Sequence, residues 1–391
     1  MTILFLSLPA RASFIESTMG TAVVNDAVAT YYNPAALVQL KNTQLVVLNS
    51  ISIFHSRFSG TVTSPGFTQS GVSSALNRYY LPALYFGKPI TNKVVAGFAI
   101  VANDINRDIE GYSILRYAQS NNTIQDVDFV PAISFKINDF AAIGAGLNFS
   151  RAYFLMQPIF GIPSLNIPDS QSRNESNGTG WGGDVGLFIK PDIATVIGFN
   201  YRSAITYRMS GTSTLNSSPS LVSHNYHFTY WTPAREVLSI NHFITKKWGV
   251  IGTVQYIQWN IFSSVKSYNV AVQPGNQAII LPVAVAQYHF KNSWIFTAGS
   301  HYHFSPEWVL RIAGSYIQSP SNGNYQIDNG NSIILGASAG YQIYKNILID
   351  GSYAHAFVEN KNIHIASASN TINGVNQNAG NAYSLKLTVN L

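Results

Sequence analysis

Five basic side chains carry the clearest chemistry in this chain of 391 residues: Arg151, Arg202, Arg208, Arg235 and Lys266. An arginine can grip a carboxylate through two parallel hydrogen bonds, and the contact strengthens in a low-dielectric pocket. The basic groups are scattered, with no run longer than Lys246-Lys247, so nucleic acid is not the expected partner. A net charge of +6 reads instead as attraction for an anionic surface or ligand. His301 and His303 share one face of an extended chain, but no third residue is placed to complete a metal site. His242, His289, His355 and His364 add nothing to that pair. The absence of cysteine removes disulfides, thiolate metal sites and cysteine nucleophiles. There is no HExxH, GxSxG or P-loop, and no spacing of Ser, His and Asp singles out a triad. The expectation is a protein that is not an enzyme and needs no metal or cofactor.

Those basic groups must be held by strands. Only 10% of residues are charged, against roughly 25% in soluble domains, so part of the surface does not face water. No run of 18 or more apolar residues exists, which excludes ordinary spanning helices. Alternation dominates instead. Tyr383, Leu385, Leu387, Val389 and Leu391 fall on one face, and Ser384, Lys386, Thr388 and Asn390 on the other. Several alternating runs, such as 248–259, 292–304, 332–343 and 346–357, reach the 9–11 residues that a tilted membrane strand needs. Aromatics gather at their ends, as in an interfacial girdle. Short turns near 88–93, 136–139, 190–192, 245–247, 305–307 and 344–346 separate long polar stretches at 58–78, 105–125, 155–179, 209–234, 263–291, 319–330 and 359–380. Six turns and seven loops join about 14 strands. The fold class is all-β: a transmembrane antiparallel β-barrel of the bacterial outer membrane, with short periplasmic turns and long extracellular loops. On the strand after Pro191, alternation puts Ile193, Ile197, Phe199 and Tyr201 toward lipid. Arg202 and Arg208 then face the lumen, while Arg151, Arg235 and Lys266 map toward the extracellular side.

The N-terminus stands apart. A short apolar run from Thr2 to Leu8, followed by Ala10-Arg11-Ala12, reads as a truncated signal peptide over residues 1–12. Residues 13–42 contain no membrane-length strand and precede the barrel, 43–391. They read Gly20-Thr21-Ala22, Asn25-Asp26-Ala27 and Tyr31-Tyr32-Asn33-Pro34-Ala35-Ala36-Leu37. Pro34 fixes a turn, and Asp26 and Asn33 can tie loop backbone through their side chains. This segment resembles the opening of the FadL/TodX family, outer-membrane transporters for long-chain fatty acids and other hydrophobic compounds. Residues 185–207, ending in Tyr-Arg-Ser-Ala-Ile-Thr-Tyr, and 248–262, containing Trp-x-x-Phe, resemble later family hairpins, as does 294–320.

The resemblance implies a lumenal plug, or hatch, marked by Asp26, Asn33, Pro34 and Ala35. It implies capture at the extracellular mouth, hatch rearrangement, and lateral release through a gap at the third strand, near 94–103, where Gly97 would allow distortion. The chain departs from the family pattern in ending on Leu391 rather than an aromatic residue, and in its short loop near 105–125. The expected function is passive transport of hydrophobic molecules, foremost long-chain fatty acids, by a monomer in contact with outer-membrane lipid and lipopolysaccharide. The alternatives are a channel for aromatic hydrocarbons or other lipophiles, and an adhesive or receptor barrel acting through its loops. A water-filled porin is disfavoured by the low charge content.

Overall fold

A computed structural model describes residues 14–64, 66–109, 113–217, 220–327, 330–366 and 371–391. The expected signal segment, 1–12, lies outside the described residues. From residue 44 onward the chain forms 14 antiparallel strands closed into one barrel. They are β1 (Gln44–Ser64), β2 (Phe67–Tyr80 and Ala83–Pro89), β3 (Val94–Ile109), β4 (Asn121–Lys136), β5 (Ala141–Gln157), β6 (Ile167–Ile189) and β7 (Thr195–Arg202 and Ile205–Asn216). The series continues with β8 (Leu221–Thr232 and Arg235–Phe243), β9 (Trp248–Ile257 and Ser264–Val272) and β10 (Ile279–Gln287 and Ser293–His303). It ends with β11 (Trp308–Ile317), β12 (Ser332–Tyr344), β13 (Ile347–Val358 and Lys361–Ala366) and β14 (Thr371–Asn390). Closure is made by β14 on β1, in unbroken register from Asn390↔Gln44 to Thr371↔Thr63.

The strands are longer than a membrane requires. β1 has 21 residues and β6 has 23. At about 3.3 Å per residue, β1 is about 70 Å long, whereas the apolar band of such barrels is about 25 Å tall. Most of the polar stretches expected as loops are therefore extended hairpins. Residues 58–78 keep the ladder from Phe58↔Ser73 to Ser64↔Phe67, and 359–380 keep it from Lys361↔Asn376 to Ala366↔Thr371. Backbone hydrogen bonds hold these ladders, and a few apolar side chains, Phe58, Val62, Ile363, Ile365 and Ile372, pack with Ile114 and Leu115 into one buried cluster, so a largely polar composition did not mark the strand ends. The stretches at 105–125 and 319–330 do contain turns and irregular backbone.

The outer wall is apolar. Ile193, Leu147, Ile312 and Leu385 are exposed. Near the short turns Trp308 stacks on Tyr341 at 4.4 Å, and Trp248 pairs with Tyr302. Higher up, Phe149 lies 4.6 Å from Trp181 and Tyr256 lies 4.6 Å from Trp294. These are two aromatic levels, at the two interfaces. The short turns are pinned by side chains. The Asp192 carboxylate accepts from the Thr195 hydroxyl at 2.9 Å and from the N–H groups of Ala194 and Thr195. The Thr195 hydroxyl and the Ala194 N–H hold its pKa below the usual carboxylate range.

One interruption changes which side chains reach the lumen. In β7, Asn200 and Arg202 are buried on the inner face, and after Ser203-Ala204 the buried set becomes Ile205, Tyr207 and Met209. The break shifts the alternation by one residue. Arg208, expected in the lumen, is consequently exposed on the outer wall.

Candidate functional site

Residues 14–40 fill the lower lumen. They form α1 (Phe14–Met19), a 3₁₀ turn (Thr21–Val23), α2 (Ala29–Tyr32) and a second 3₁₀ turn (Pro34–Gln39). The second turn packs on β4, β5 and β6, the first on β7 and β8, and α1 on β10 to β14. The segment thus reaches from one wall to the other. Asn33 begins the second turn: its Oδ1 accepts from Ala35 N at 3.2 Å, and its Nδ2 donates to the carbonyls of Ala22 (2.7 Å) and Leu187 (3.1 Å). Pro34 sits where a missing N–H costs nothing. The Ala35 carbonyl accepts from Ser134 Oγ at 3.0 Å.

Glycines in the wall make room for this contact. A Cβ on Gly144 would strike Ala35 backbone, one on Gly186 would strike Asn33, and one on Gly198 would strike the Ala22 carbonyl. Gly97 belongs to the same surface, since its Cβ would meet Thr30 and, at 2.9 Å, Leu37. It seats the N-terminal segment. No gap opens at β3, which was expected to be kinked there. β3 pairs with β4 from Val94↔Phe135 to Arg107↔Asn122 and with β2 along its other edge. Pairing is interrupted instead at three other seams: β8–β9, between Arg235↔Ile257 and Phe228↔Ser267, β9–β10, between Ile257↔Ser293 and Ser264↔Gln287, and β6–β7. At β6–β7 the ladder runs to Asp184↔Arg202 and resumes at Asn177↔Ser210, shifted by one residue. On β6 the stretch between includes Gly178, Gly180 and Gly182; Gly183 is still held, its carbonyl accepting from Ser203 N at 2.9 Å and its N–H donating to Ser203 Oγ at 3.0 Å.

Above the N-terminal segment lies an aromatic chamber. Phe154, Tyr207, Tyr226, Phe228, Tyr230 and Phe262 belong to its buried cluster. A small cavity of about 80 Å³ sits at its floor, lined by Tyr31, Asp128, Asn148, Arg202, Arg235 and Trp259, among others. A second cavity of about 130 Å³ runs beside α1 toward Ser319 and Pro320, and shares Trp259. Arg202 bridges wall and N-terminal segment. Its guanidinium donates to the Tyr31 carbonyl, lies 3.8 Å above the Tyr31 ring and stands 3.7 Å from Asp184. The Tyr31 hydroxyl donates to Asp128 at 3.3 Å.

A match to the family described as outer membrane protein transport protein (OMPP1/FadL/TodX) extends over residues 17–391. The chain belongs to the FadL/TodX family. Solved structures share the fold of this member at low identity. A Pseudomonas aeruginosa FadL homologue superposes with a TM-score of 0.81 at 18% identity, covering 95% of each chain. The Pseudomonas putida toluene transporter TodX gives 0.73 at 15%, covering 99% of each. The Ralstonia pickettii toluene transporter TbuX gives 0.65 at 15%, covering 93% of this chain and 94% of the other. No curated protein matches the sequence. This FadL/TodX member is an outer-membrane transporter of hydrophobic molecules and not an enzyme.

Within that frame the five basic candidates separate. Arg202 and Arg235 are directly opposite on β7 and β8, both buried at the lumenal cavity. Arg151, Arg208 and Lys266 are exposed on the outer face of β5, β7 and β9. His301 and His303 have ring centroids 5.8 Å apart, with Phe243 against both, and no metal-binding group of His, Asp or Glu forms among the described residues.

The sequence reading missed a buried ionic chain. Asp26 accepts from Lys386 Nζ at 2.8 Å; Lys386 lies 3.6 Å from Asp350, which Arg311 holds at 2.7 Å. It joins the FadL-type N-terminal motif to β14, β13 and β11. The signal was an inward Lys386 amid Ser384 and Thr388, with Asp350 as its cross-strand neighbour. Removing one partner of a buried pair costs about 3–5 kcal/mol. Lys386→Met is therefore expected to destabilise the folded barrel by about 3 kcal/mol, and adding Asp26→Asn should restore part of that. Urea unfolding of the two variants followed by gel mobility measures both. Equal stability of Lys386→Met and the parent would refute the assignment.

Proposed function

We propose that this transporter carries long-chain fatty acids and related lipophiles by capture in the aromatic chamber, displacement of the N-terminal plug, and release through the barrel wall. The observation that carries the reading is the double engagement of Arg202, which lines the cavity under the chamber and also holds Tyr31. A tail entering the chamber leaves water at about 0.8 kcal/mol per CH₂. Its carboxylate then reaches the floor beside Arg202 and Arg235. A guanidinium taken by that carboxylate is lost to the Tyr31 carbonyl, so ligand binding loosens the plug at the point of capture. The lapsed ladder between β6 and β7 supports a wall opening there, whereas β3 is paired along both edges. Sideways release spares the tail rehydration. The protein works as a single barrel bathed by outer-leaflet lipopolysaccharide.

Neutral aromatic hydrocarbons are the second reading, favoured by the density of rings around Trp259: Phe262 lies 5.9 Å and Phe290 6.0 Å from it. Binding of a fluorescent long-chain fatty acid to purified protein, with toluene and a fatty alcohol as competitors, separates the two. Weak displacement by the alcohol is the expected result. Equal displacement by alcohol and acid would transfer the assignment to neutral lipophiles, and absence of saturable binding would overturn it.

A further inference from the structure

The cavity beside α1 differs chemically from the cavity at the floor of the aromatic chamber. Arg202, Arg235 and Asp128 line the floor cavity, whereas among the described residues no charged side chain lines the cavity beside α1. Asn103 on β3 and Gln255 on β9 line it, each 3% exposed. The Asn103 Oδ1 and the Gln255 Oε1 are buried with no hydrogen-bond partner among the described residues. β3 and β9 stand six strands apart in a ring of 14, so the two amides face one space from opposite walls. A buried acceptor left unmet costs stability, and it calls for a partner that the fold itself does not supply.

Hydroxyls and rings make up much of the remaining lining. Ser50 donates to Ser384 at 2.8 Å, and the Thr297 and Ser315 hydroxyls are bonded at 2.8 Å. A hydroxyl has one proton to give and two lone pairs, so each pair keeps one O–H that is not used within it. Phe54 meets Tyr79 edge to face at 5.8 Å, and Gly380 leaves room for it, since a Cβ there would stand 2.4 Å from the Phe54 ring. Phe14 and Trp259 complete the aromatic lining. The volume is about 130 Å³, and a dry apolar cavity of about 150 Å³ accepts benzene. The space therefore suits one aromatic ring and not a long acyl chain.

We propose that the cavity beside α1 is a second binding site, for an uncharged aromatic of one ring that bears a hydroxyl: a phenol. It goes beyond fatty-acid transport and does not depend on what occupies the charged floor. The ring lies among Phe14, Phe54, Tyr79 and Trp259, and the hydroxyl meets the amide of Asn103 or Gln255. Each amide carries donors at one end and an acceptor at the other, and a half-turn exchanges them. A hydrocarbon of the same shape leaves both amides unmet, and a site built to bond a hydroxyl rejects the analogue that lacks it. A carboxylate finds no cation there to offset the loss of its water.

The test measures equilibrium binding of radiolabelled p-cresol and toluene to the full-length protein in nanodiscs, with empty discs subtracted, at neutral pH where the phenol is uncharged. p-Cresol is toluene with one added hydroxyl, so the pair isolates that group. Wild type is expected to bind p-cresol about tenfold more tightly than toluene. In Asn103→Leu/Gln255→Met the preference should fall to about twofold or less, because the ring keeps its contacts and the hydroxyl loses its partners. 4-Methylbenzoate, the same ring with a charge, should displace p-cresol about tenfold less well than unlabelled p-cresol does. Absence of saturable p-cresol binding, an undiminished preference in the double variant, or equal displacement by 4-methylbenzoate would overturn the proposal. Heat-modifiable gel mobility reports folding of the variant independently of any ligand. A double variant that does not fold is replaced by Gln255→Met, for which an about threefold loss of preference is expected and an unchanged one refutes the site.

Discussion

Uptake by a Gly180→Cys/Ile205→Cys variant is expected to fall about tenfold when the pair is oxidised and to return on reduction, a change equivalent to about 1.4 kcal/mol in the barrier. A Cβ on Gly180 would stand 2.5 Å from Ile205 Cγ2, so the two side chains meet across the stretch where β6 and β7 have no ladder. The chain has no other cysteine to compete. A disulfide there holds the two strands at contact distance and blocks their separation. The control is Leu84→Cys/Ile100→Cys, a directly opposed pair on β2 and β3. Since those strands are already joined along their length, oxidation should leave uptake unchanged. The measurement is the rate of lipophile uptake by whole cells with and without reductant. Full inhibition by the β2–β3 pair and none by the β6–β7 pair would place the opening at the third strand after all.

Arg202→Ala carries the second large effect. The substitution removes the donor to the Tyr31 carbonyl, the cation over the Tyr31 ring and the partner of Asp184 at once. A hydrogen bond to a charged group contributes about 1.5–3 kcal/mol, which corresponds to a tenfold or larger rise in the population with a displaced plug. Steady ion current through reconstituted protein should rise by about that factor. Fatty-acid binding should weaken about tenfold while toluene binding changes less than twofold, because only the acid presents a carboxylate. Arg202→Lys keeps the charge without the fork, so its current should fall between the two. A silent Arg202→Ala channel with unaltered fatty-acid affinity would detach the plug from the ligand site.

The barrel was legible because its signal is repeated. Each pair such as Leu385/Lys386 or Leu387/Thr388 votes for the same two faces, and Trp248, Trp294 and Trp308 mark where the faces end. Lumenal detail was less legible because alternation is counted from a turn, and one inserted residue reverses everything beyond it. Ser203-Ala204 did so for Arg208, whereas Arg202, before the break, was placed in the lumen correctly. Strand ends above the membrane were hidden for another reason: in 59–74 most residues are small and polar, so the alternation is faint although the ladder persists, and the one apolar anchor, Val62, is buried against Ile114 and Leu115 from a distant part of the chain. The wall contact of Asn33 and the role of Gly186 were hidden because each depends on a partner more than 150 residues away, Leu187 for Asn33 and Asn33 for Gly186.

The ionic chain through Lys386 has a bearing on how the barrel is made. Asp26 belongs to the segment that precedes the first strand and Lys386 to the last strand. The two meet only when β14 has zipped onto β1 with the N-terminal segment already inside. A chain that closes empty leaves the Lys386 ammonium without Asp26, and a chain truncated at its end leaves Asp26 without its cation, in a place where water cannot help. The contact thus ties closure of β14 on β1 to the presence of the N-terminal segment inside the barrel.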